Sequence, residues 1–184
     1  TSGESSWAGG GIIFPLLPWM YSEAVNTLTH NSASFYRELT QRLAQETGFS
    51  SDFAQSGFLL LPKFDLNAAQ DWCKRNQVSF QPVKASAFGV ASPSGDDGLW
   101  LPSVCQIRPP YLMQGLRKWL EQHDVAMLEH TQLKPLEESD ELKAWQTTSG
   151  ETLRADQFVV TSGAWSFDLL KETSAKLNIK PMRG

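Results

Sequence analysis

The pattern of apolar and polar positions indicates both helices and strands along the chain, and the longest pattern is helical. From Val25 to Leu43, side chains that are apolar except for Ser32 recur every three or four residues, which is the spacing of one helix face. Ser22 precedes this stretch as an N-cap, Glu23 lies in the first turn, and Gly48 is a natural C-terminal stop. The pattern therefore predicts a single helix of about 26 residues, roughly 40 Å long.

Shorter patterns follow this helix. The apolar run SGFLLLP at 56–62 predicts a buried strand, and DLNAAQDWCKRN at 65–76 predicts a short helix. Prolines and glycines interrupt residues 77–105, so we expect only short strands there, around 89–92 and 98–101, with a turn at SPSGDDG between them.

The second half of the chain alternates helix and strand patterns. RPPYLMQGLRKWLEQHD at 108–124 predicts a helix with prolines in its first turn, and VAMLEH at 125–130 predicts a strand. The segments LKPLEES, LKAWQTT and TLRADQ predict an antiparallel meander. QFVVTSGAWS at 157–166 is typical of a buried parallel strand. SFDLLKETSAKL predicts a short helix and NIKPMRG an extended end.

The first 21 residues contain three consecutive glycines, Gly9 to Gly11, followed by Ile12 and Ile13. Pro15 and Pro18 keep this region loop-like. A bare backbone would let a flat ligand lie against free N–H groups, with the isoleucines as an apolar wall. A tight or flexible connection before a helix is the alternative, and the glycines taken alone favour it.

A second candidate site is the turn in VVTSGAW. Thr161, Ser162 and Gly163 follow a predicted buried strand, and ligands bind at the carboxyl ends of strands in open α/β sheets. Gly163 would let a phosphate or a ribose approach its backbone. An ordinary strand-to-helix turn, with Trp165 in the core, explains the same residues equally well.

Composition and charge limit the function classes. The net charge is −4, without a basic run, so nucleic-acid binding is not expected. No apolar stretch approaches the ~20 residues of a membrane span, and no secretion signal opens the chain. His130 could act as a base, but nothing nearby pairs with it in a catalytic spacing, so we predict no catalytic residue.

The cysteines and histidines predict neither a disulfide framework nor a metal site. Cys73 and Cys105 are interpreted as reduced thiols of a cytoplasmic protein, although a disulfide stays open. The histidines (His30, His123 and His130) lie in unrelated contexts without a CxxC motif, so no metal is expected.

Taken in order, four segments resemble the D-amino-acid oxidase superfamily of flavoproteins, and within it the glycine oxidase branch. They are SSWAGGGIIFP, GFLLLP, RPPYLMQGLRKWLEQHDVAMLEHTQL and ADQFVVTSGAWS with IKPMRG. The resemblance implies a mixed α/β and α+β fold, in which part of an FAD-binding Rossmann-like domain is interleaved with an antiparallel-sheet substrate domain. It assigns 1–49 to the FAD domain, 50–107 to the substrate domain, 108–170 to the FAD domain, and 171–184 to the crossover.

The resemblance also implies which residues contact FAD. The isoalloxazine would lie on the segment Ala8, Gly9, Gly10, Gly11 and Ile12, with Ser5 and Ser6 near the ribityl chain or pyrophosphate. Leu133 would offer its backbone to the adenine edge. Thr161, Ser162 and Gly163 would flank the pyrophosphate and ribose.

By the same resemblance, the enzyme transfers a hydride from a small amine or amino acid, such as glycine, sarcosine or a D-amino acid, to the flavin. The family's GxGxxG motif and its substrate-binding arginine and tyrosine are not found in this sequence. We therefore expect a middle fragment that alone binds FAD weakly or not at all.

Three alternatives stay open at this point. A quinone-linked D-amino-acid dehydrogenase would look alike in this region, and a flavin-dependent tRNA-modifying domain is disfavoured by the missing basic patch. A non-enzymatic α+β binding module would use the glycines only as a hinge. Exposed sheet edges would also allow a homo-oligomer.

Overall fold

The computed structural model describes residues 5–137, 142–175, 177 and 179, and the elements below are those of the described residues. The helices are α1 (Ser5–Ala8), α2 (Glu23–Thr29), α3 (Ser32–Thr47), α4 (Leu66–Arg75), α5 (Pro109–Gln122) and α6 (Ser166–Leu170). The strands are β1 (Ile12–Ile13), β2 (Ala54–Gln55), β3 (Phe58–Leu60), β4 (Gln81–Lys84), β5 (Asp97–Leu101), β6 (Cys105–Gln106), β7 (Ala144–Gln146) and β8 (Thr152–Arg154). Short 3-10 turns occupy Pro18–Met20, Ala85–Phe88 and Gly163–Trp165.

The chain divides into two compact units, Thr1–Ala126 and Met127–Gly184. The first unit contains a sheet of order β1-β6-β2 and a sheet of order β3-β5-β4, and every strand pair in them is antiparallel. The second unit contains the hairpin β7-β8. Mixed α and β structure with small antiparallel sheets confirms the predicted fold class.

Two hydrophobic clusters hold the first unit together. One lies between α4 and the β3-β5-β4 sheet and is built from Leu60, Ala69, Trp72, Cys73, Leu99, Leu101 and Val104. The other joins β1 and β6 to α3 and α5, and its buried members are Ile13, Leu43, Cys105, Ile107 and Leu112. The two clusters place the glycine segment before β1 on the surface of a packed body.

Helices α4 and α5 form where local chemistry predicts them. The Asp65 carboxylate accepts a hydrogen bond from the Ala68 N–H at 3.0 Å and thereby caps α4. Helix α5 begins with Pro109 and Pro110, whose missing N–H groups cost nothing in a first turn. Gly48 ends α3 in the left-handed conformation, as predicted.

The single long helix predicted from residue 22 to 48 is wrong, because the chain breaks between α2 and α3. The Thr29 hydroxyl donates to the Val25 carbonyl at 3.0 Å, and the Ser34 hydroxyl donates to the Asn31 carbonyl at 3.0 Å. Such side-chain bonds compete with the helical ladder in a run poor in strong helix formers. Leu28 is 83% exposed, so the predicted apolar face is not buried there.

The strand predicted around 89–92 is also wrong. Its place is taken by β4, which pairs with β5 through Val83 opposite Gly98. Pro82 lies within β4, and a proline is tolerated there because β4 is an edge strand.

Two further strands predicted in the second half of the chain are absent from the described residues. Residues 125–130 form no strand, and neither does the run 157–164, where Val159 is 82% exposed. The meander is confirmed only as the β7-β8 hairpin with one additional bridge, Leu133 to Thr147. The extended end predicted at 178–184 lies, apart from residue 179, outside the described residues.

No helix in the described part of the chain is long and apolar enough to cross a membrane. The sequence-based domain boundaries (49/50, 107/108 and 170/171) stay a prediction.

Candidate ligand-binding surfaces

The glycine segment has a structural explanation at one of its three positions. Gly11 adopts a φ of +74°, and a Cβ there would lie 2.1 Å from the Ile107 carbonyl oxygen. The Ile107 N–H in turn donates to the Gly11 carbonyl at 2.9 Å. Gly11 is therefore required by its left-handed backbone and by the close approach of the chain before α5.

Gly9 and Gly10 have no such explanation. A Cβ at Gly9 would meet its nearest atoms at 3.8 Å, which is ordinary contact. A Cβ at Gly10 would have, apart from the chain neighbours, no atom of the described residues within 4 Å. Neither residue has a positive φ. Both are exposed, as are the neighbouring α1 residues Ser5, Ser6 and Ala8. Ile12 is 47% exposed beside them, so the segment presents bare backbone and one apolar side chain.

Three cavities of the first unit border this segment. The one lined by Ser6, Gly11 and Ile12 has a volume of about 640 Å³ and extends between α3 and α5. A second, of about 220 Å³, borders Gly10, Gly11 and Ile12. A third, of about 670 Å³, lies between Gly10 and the start of α5. The predicted flavin-contacting residues thus lie at the edges of concave surfaces that are large enough for a ligand.

Sequence patterns did not indicate the polar groups in the wall of the 640 Å³ cavity. Asn26, His30, Tyr36 and Asn76 line it from α2, the break after it, α3 and the end of α4. The Asn26 side-chain N–H donates to the Pro18 carbonyl at 3.2 Å, while its Oδ1 is buried without a partner in the described part of the chain. Asn26 and Tyr36 lie on either side of the break between α2 and α3, which periodicity did not reveal.

In the second unit, Leu133 has free backbone groups. It lies opposite Thr147, and the hydrogen bonds of this bridge run from Lys134 N–H to Gln146 and from Thr148 N–H to Gln132, at 2.9 and 2.8 Å. Leu133 is thus the non-hydrogen-bonded member of the pair. Its own N–H and C=O have no hydrogen-bond partner among the described residues.

In the predicted turn at residues 161–163, Thr161 and Gly163 are exposed and Ser162 is half-buried. Gly163 has a φ of +57°, with no atom within 4 Å of a Cβ position, so its conformation explains the glycine while its surroundings stay open. The Ser162 and Ser166 hydroxyls are 3.0 Å apart. Trp165 is 56% exposed and does not form core in the described structure.

The titratable groups form no catalytic arrangement in the described structure. Cys73 and Cys105 are buried free thiols, as predicted, and burial raises the pKa of Cys73 to about 11. His123 stacks on Trp119 with ring centroids 3.9 Å apart. No group of three or more His, Cys, Asp or Glu side chains in the described residues could hold a metal ion.

Comparisons with known proteins identify relatives along the entire chain. The family profile described as FAD dependent oxidoreductase (DAO) matches residues 1–184. Glycine oxidase from Pseudomonas putida is 36% identical over 98% of this chain and 51% of its own length. Glycine oxidase from Pseudomonas aeruginosa is 34% identical over the same shares. The chain therefore spans about half the length of these relatives.

Solved structures share the fold. Glycine oxidase from Bacillus cereus superposes with a TM-score of 0.76 at 17% identity, covering 92% of this chain and 48% of its own. Glycine oxidase from Geobacillus kaustophilus gives a TM-score of 0.74 at 20% identity, covering 91% and 47%. L-Amino acid deaminase from Proteus myxofaciens, in complex with anthranilate, gives 0.69 at 18% identity, covering 90% and 38%.

Proposed function

This chain belongs to the family of FAD-dependent oxidoreductases, and from that premise we propose that it forms about half of an enzyme that oxidises a small amine or amino acid. We expect the substrate to be glycine, sarcosine or a D-amino acid, since the named relatives are glycine oxidases. When bound, the flavin supplies the two-electron acceptor for this oxidation.

The described residues fit a flat cofactor. Gly10 offers bare backbone although neither a positive φ nor a nearby atom of the described residues requires a glycine there. This observation is the main support for the proposal. Ile12 would lie against one part of the ring and Gly9 against another, with Ser5 and Ser6 toward the ribityl chain. The rigid β1-β6 pairing behind them would hold this surface in place without reorganisation.

The second unit would hold the nucleotide half. The N–H and C=O of Leu133 have no hydrogen-bond partner in the described part of the chain, and they are suited to the donor and acceptor groups of an adenine edge. The open backbone at Gly163, with Thr161 and Ser162 beside it, would approach the ribose and pyrophosphate. These roles are proposals, as is the expectation that the chain alone binds FAD weakly.

We assign no catalytic side chain within this chain. Its own residues would orient the cofactor and exclude water from one face of it, and the chemistry would depend on positioning. The electron acceptor, oxygen or a quinone, stays open. A cytoplasmic location, expected from the two thiols, also stays a prediction.

The test uses the full-length protein that carries this chain. Its visible spectrum is recorded, and glycine, sarcosine and D-alanine are then added separately without oxygen. We expect a yellow protein whose flavin bleaches with at least one of them, because oxidation of the amine reduces the flavin.

The other outcomes separate cofactor from substrate. A yellow protein that none of the three bleaches would contradict the proposed substrates while keeping the cofactor. A colourless protein that gains no flavin on reconstitution would contradict the proposal and favour a binding module without a cofactor.

A further inference from the structure

The smallest of the three cavities is lined by apolar side chains and by glycine backbone. Its volume is about 220 Å³, and it is lined by Gly10, Gly11, Ile12, Phe14, Leu16 and Phe58. It therefore shares Gly10, Gly11 and Ile12 with the surface proposed to carry the flavin. We propose that this cavity receives an apolar substituent of the substrate, so that the enzyme prefers an amine or amino acid with a branched apolar group over glycine. This inference rests on the proposed function.

Two aromatic side chains in the wall of the cavity are held in place by the core. Phe14 packs edge-on against the buried Trp72, with ring centroids 5.9 Å apart. Phe58 lies in β3 opposite Leu101 of β5, and both Phe14 and Phe58 pack against the same hydrophobic cluster. Gly11 is fixed by the close Ile107 carbonyl. A substituent would therefore enter a space that is already formed.

Size and polarity together select the substituent. A water molecule takes about 30 Å³ in the liquid. The cavity of about 220 Å³ therefore has room for several waters, and so also for a branched apolar group. Glycine would leave only water against the apolar side chains of Ile12, Phe14, Leu16 and Phe58, whereas an isopropyl group would displace it. A hydroxyl or charged group would find no side chain in the cavity to replace its hydrogen bonds to water, because every side chain that lines it is apolar.

The first test measures binding without turnover. Acetate and isovalerate are titrated by calorimetry into the full-length FAD-bound enzyme. We expect isovalerate to bind at least tenfold more tightly, with a negative heat-capacity change, because only isovalerate carries the apolar group. Equal affinities would overturn the inference.

The second test measures flavin bleaching. Glycine, N-isopropylglycine and both enantiomers of valine are compared without oxygen, and threonine of the same α-carbon configuration is the polar match for valine. We expect kcat/KM for the best isopropyl compound to exceed that for glycine and for threonine at least tenfold. The two types of isopropyl compound distinguish a substituent on carbon from one on nitrogen.

A pair of variants then locates the effect. Leu16 is 54% exposed and lines the cavity, whereas Leu28 is 83% exposed and lines none of the three cavities. We expect Leu16→Trp to lower the ratio of kcat/KM for the isopropyl compound to that for glycine about tenfold, and Leu28→Trp to leave it unchanged. An unchanged ratio in Leu16→Trp would overturn the inference.

The outcomes also separate this inference from the proposed function. An enzyme bleached by glycine in preference to every isopropyl compound would overturn the inference alone. A flavin that no amine reduces would overturn both.

Discussion

Two apolar segments beside glycines look alike in sequence but fold differently. Ile13, after the triple glycine, is 8% exposed and pairs with Cys105 in an antiparallel sheet. Val159, before Gly163, is 82% exposed and belongs to no strand of the described structure. An apolar β-branched run therefore becomes a strand only where another strand offers its N–H and C=O groups and a core accepts the side chains.

The largest expected difference is in the free energy of unfolding, when one side chain in each of the two segments is truncated to alanine. We expect Ile13→Ala to lower the free energy of unfolding by about 2–5 kcal/mol, because it leaves a cavity in the cluster around Leu43 and Leu112. Val159→Ala, at an exposed position, is expected to change it by less than about 0.5 kcal/mol. Urea unfolding of this chain measures both, and equal losses would show that the 157–163 run is packed after all.

Much of the fold could be predicted where local chemistry decides the structure. The Asp65 cap, the prolines that open α5 and the Gly48 stop each act within one helical turn, so the sequence alone indicates them. The break at residues 30–31 could not be predicted, because it depends on weak competition between side-chain and helical hydrogen bonds. β4 could not be predicted either, because Pro82 argues against a strand. A proline is acceptable there only because β4 lies at the edge of its sheet.

The candidate site could be predicted only in part, because it also depends on contacts between residues that are distant in the sequence. A triple glycine indicates bare backbone, but the sequence does not say which glycine the fold itself requires. In the structure, a Cβ at Gly11 would collide with the Ile107 carbonyl oxygen. A Cβ at Gly10 would meet no atom of the described residues beyond its chain neighbours. The cavity wall around Asn26 depends on long-range packing, and no short motif marks it.

The role of Gly11 is tested by a matched pair of glycines. Gly11 and Gly48 have φ values of +74° and +77°, but only Gly11 has a backbone atom in the place of a Cβ. We expect Gly11→Ala to cost roughly 2–4 kcal/mol of unfolding free energy and Gly48→Ala about 1 kcal/mol. Equal losses of unfolding free energy in urea would mean that the backbone conformation alone, and not the contact with Ile107, requires a glycine before β1.

A smaller change in the free energy of unfolding, which depends on pH, is expected from the buried thiol of Cys73 in the core. Burial raises the pKa of Cys73 from 9.0 to about 11, so the folded state holds the thiol proton more tightly than the unfolded state does. The resulting stability is complete below pH 9 and falls by about 2 kcal/mol as the pH rises from 9 to 11.

Cys73→Ala provides the control for this loss. Unfolding free energies of the wild-type chain and Cys73→Ala are compared at pH 7, 9 and 10.5, and the difference between them is expected to shrink with rising pH. A difference that is constant across these pH values would show that the Cys73 thiol is not buried in the folded chain.

The central claim is that bare backbone at Gly10 serves a flat cofactor. The most direct measurement titrates FAD into the full-length apoprotein and its Gly10→Val variant, with unfolding of both apoproteins as the reference for folding. We predict at least tenfold weaker FAD binding, equivalent to about 1.4 kcal/mol. We also predict unchanged stability of the apoprotein, since apart from the chain neighbours no atom of the described residues lies within 4 Å of the added Cβ. Unchanged FAD affinity, or a loss explained entirely by destabilised apoprotein, would contradict the claim.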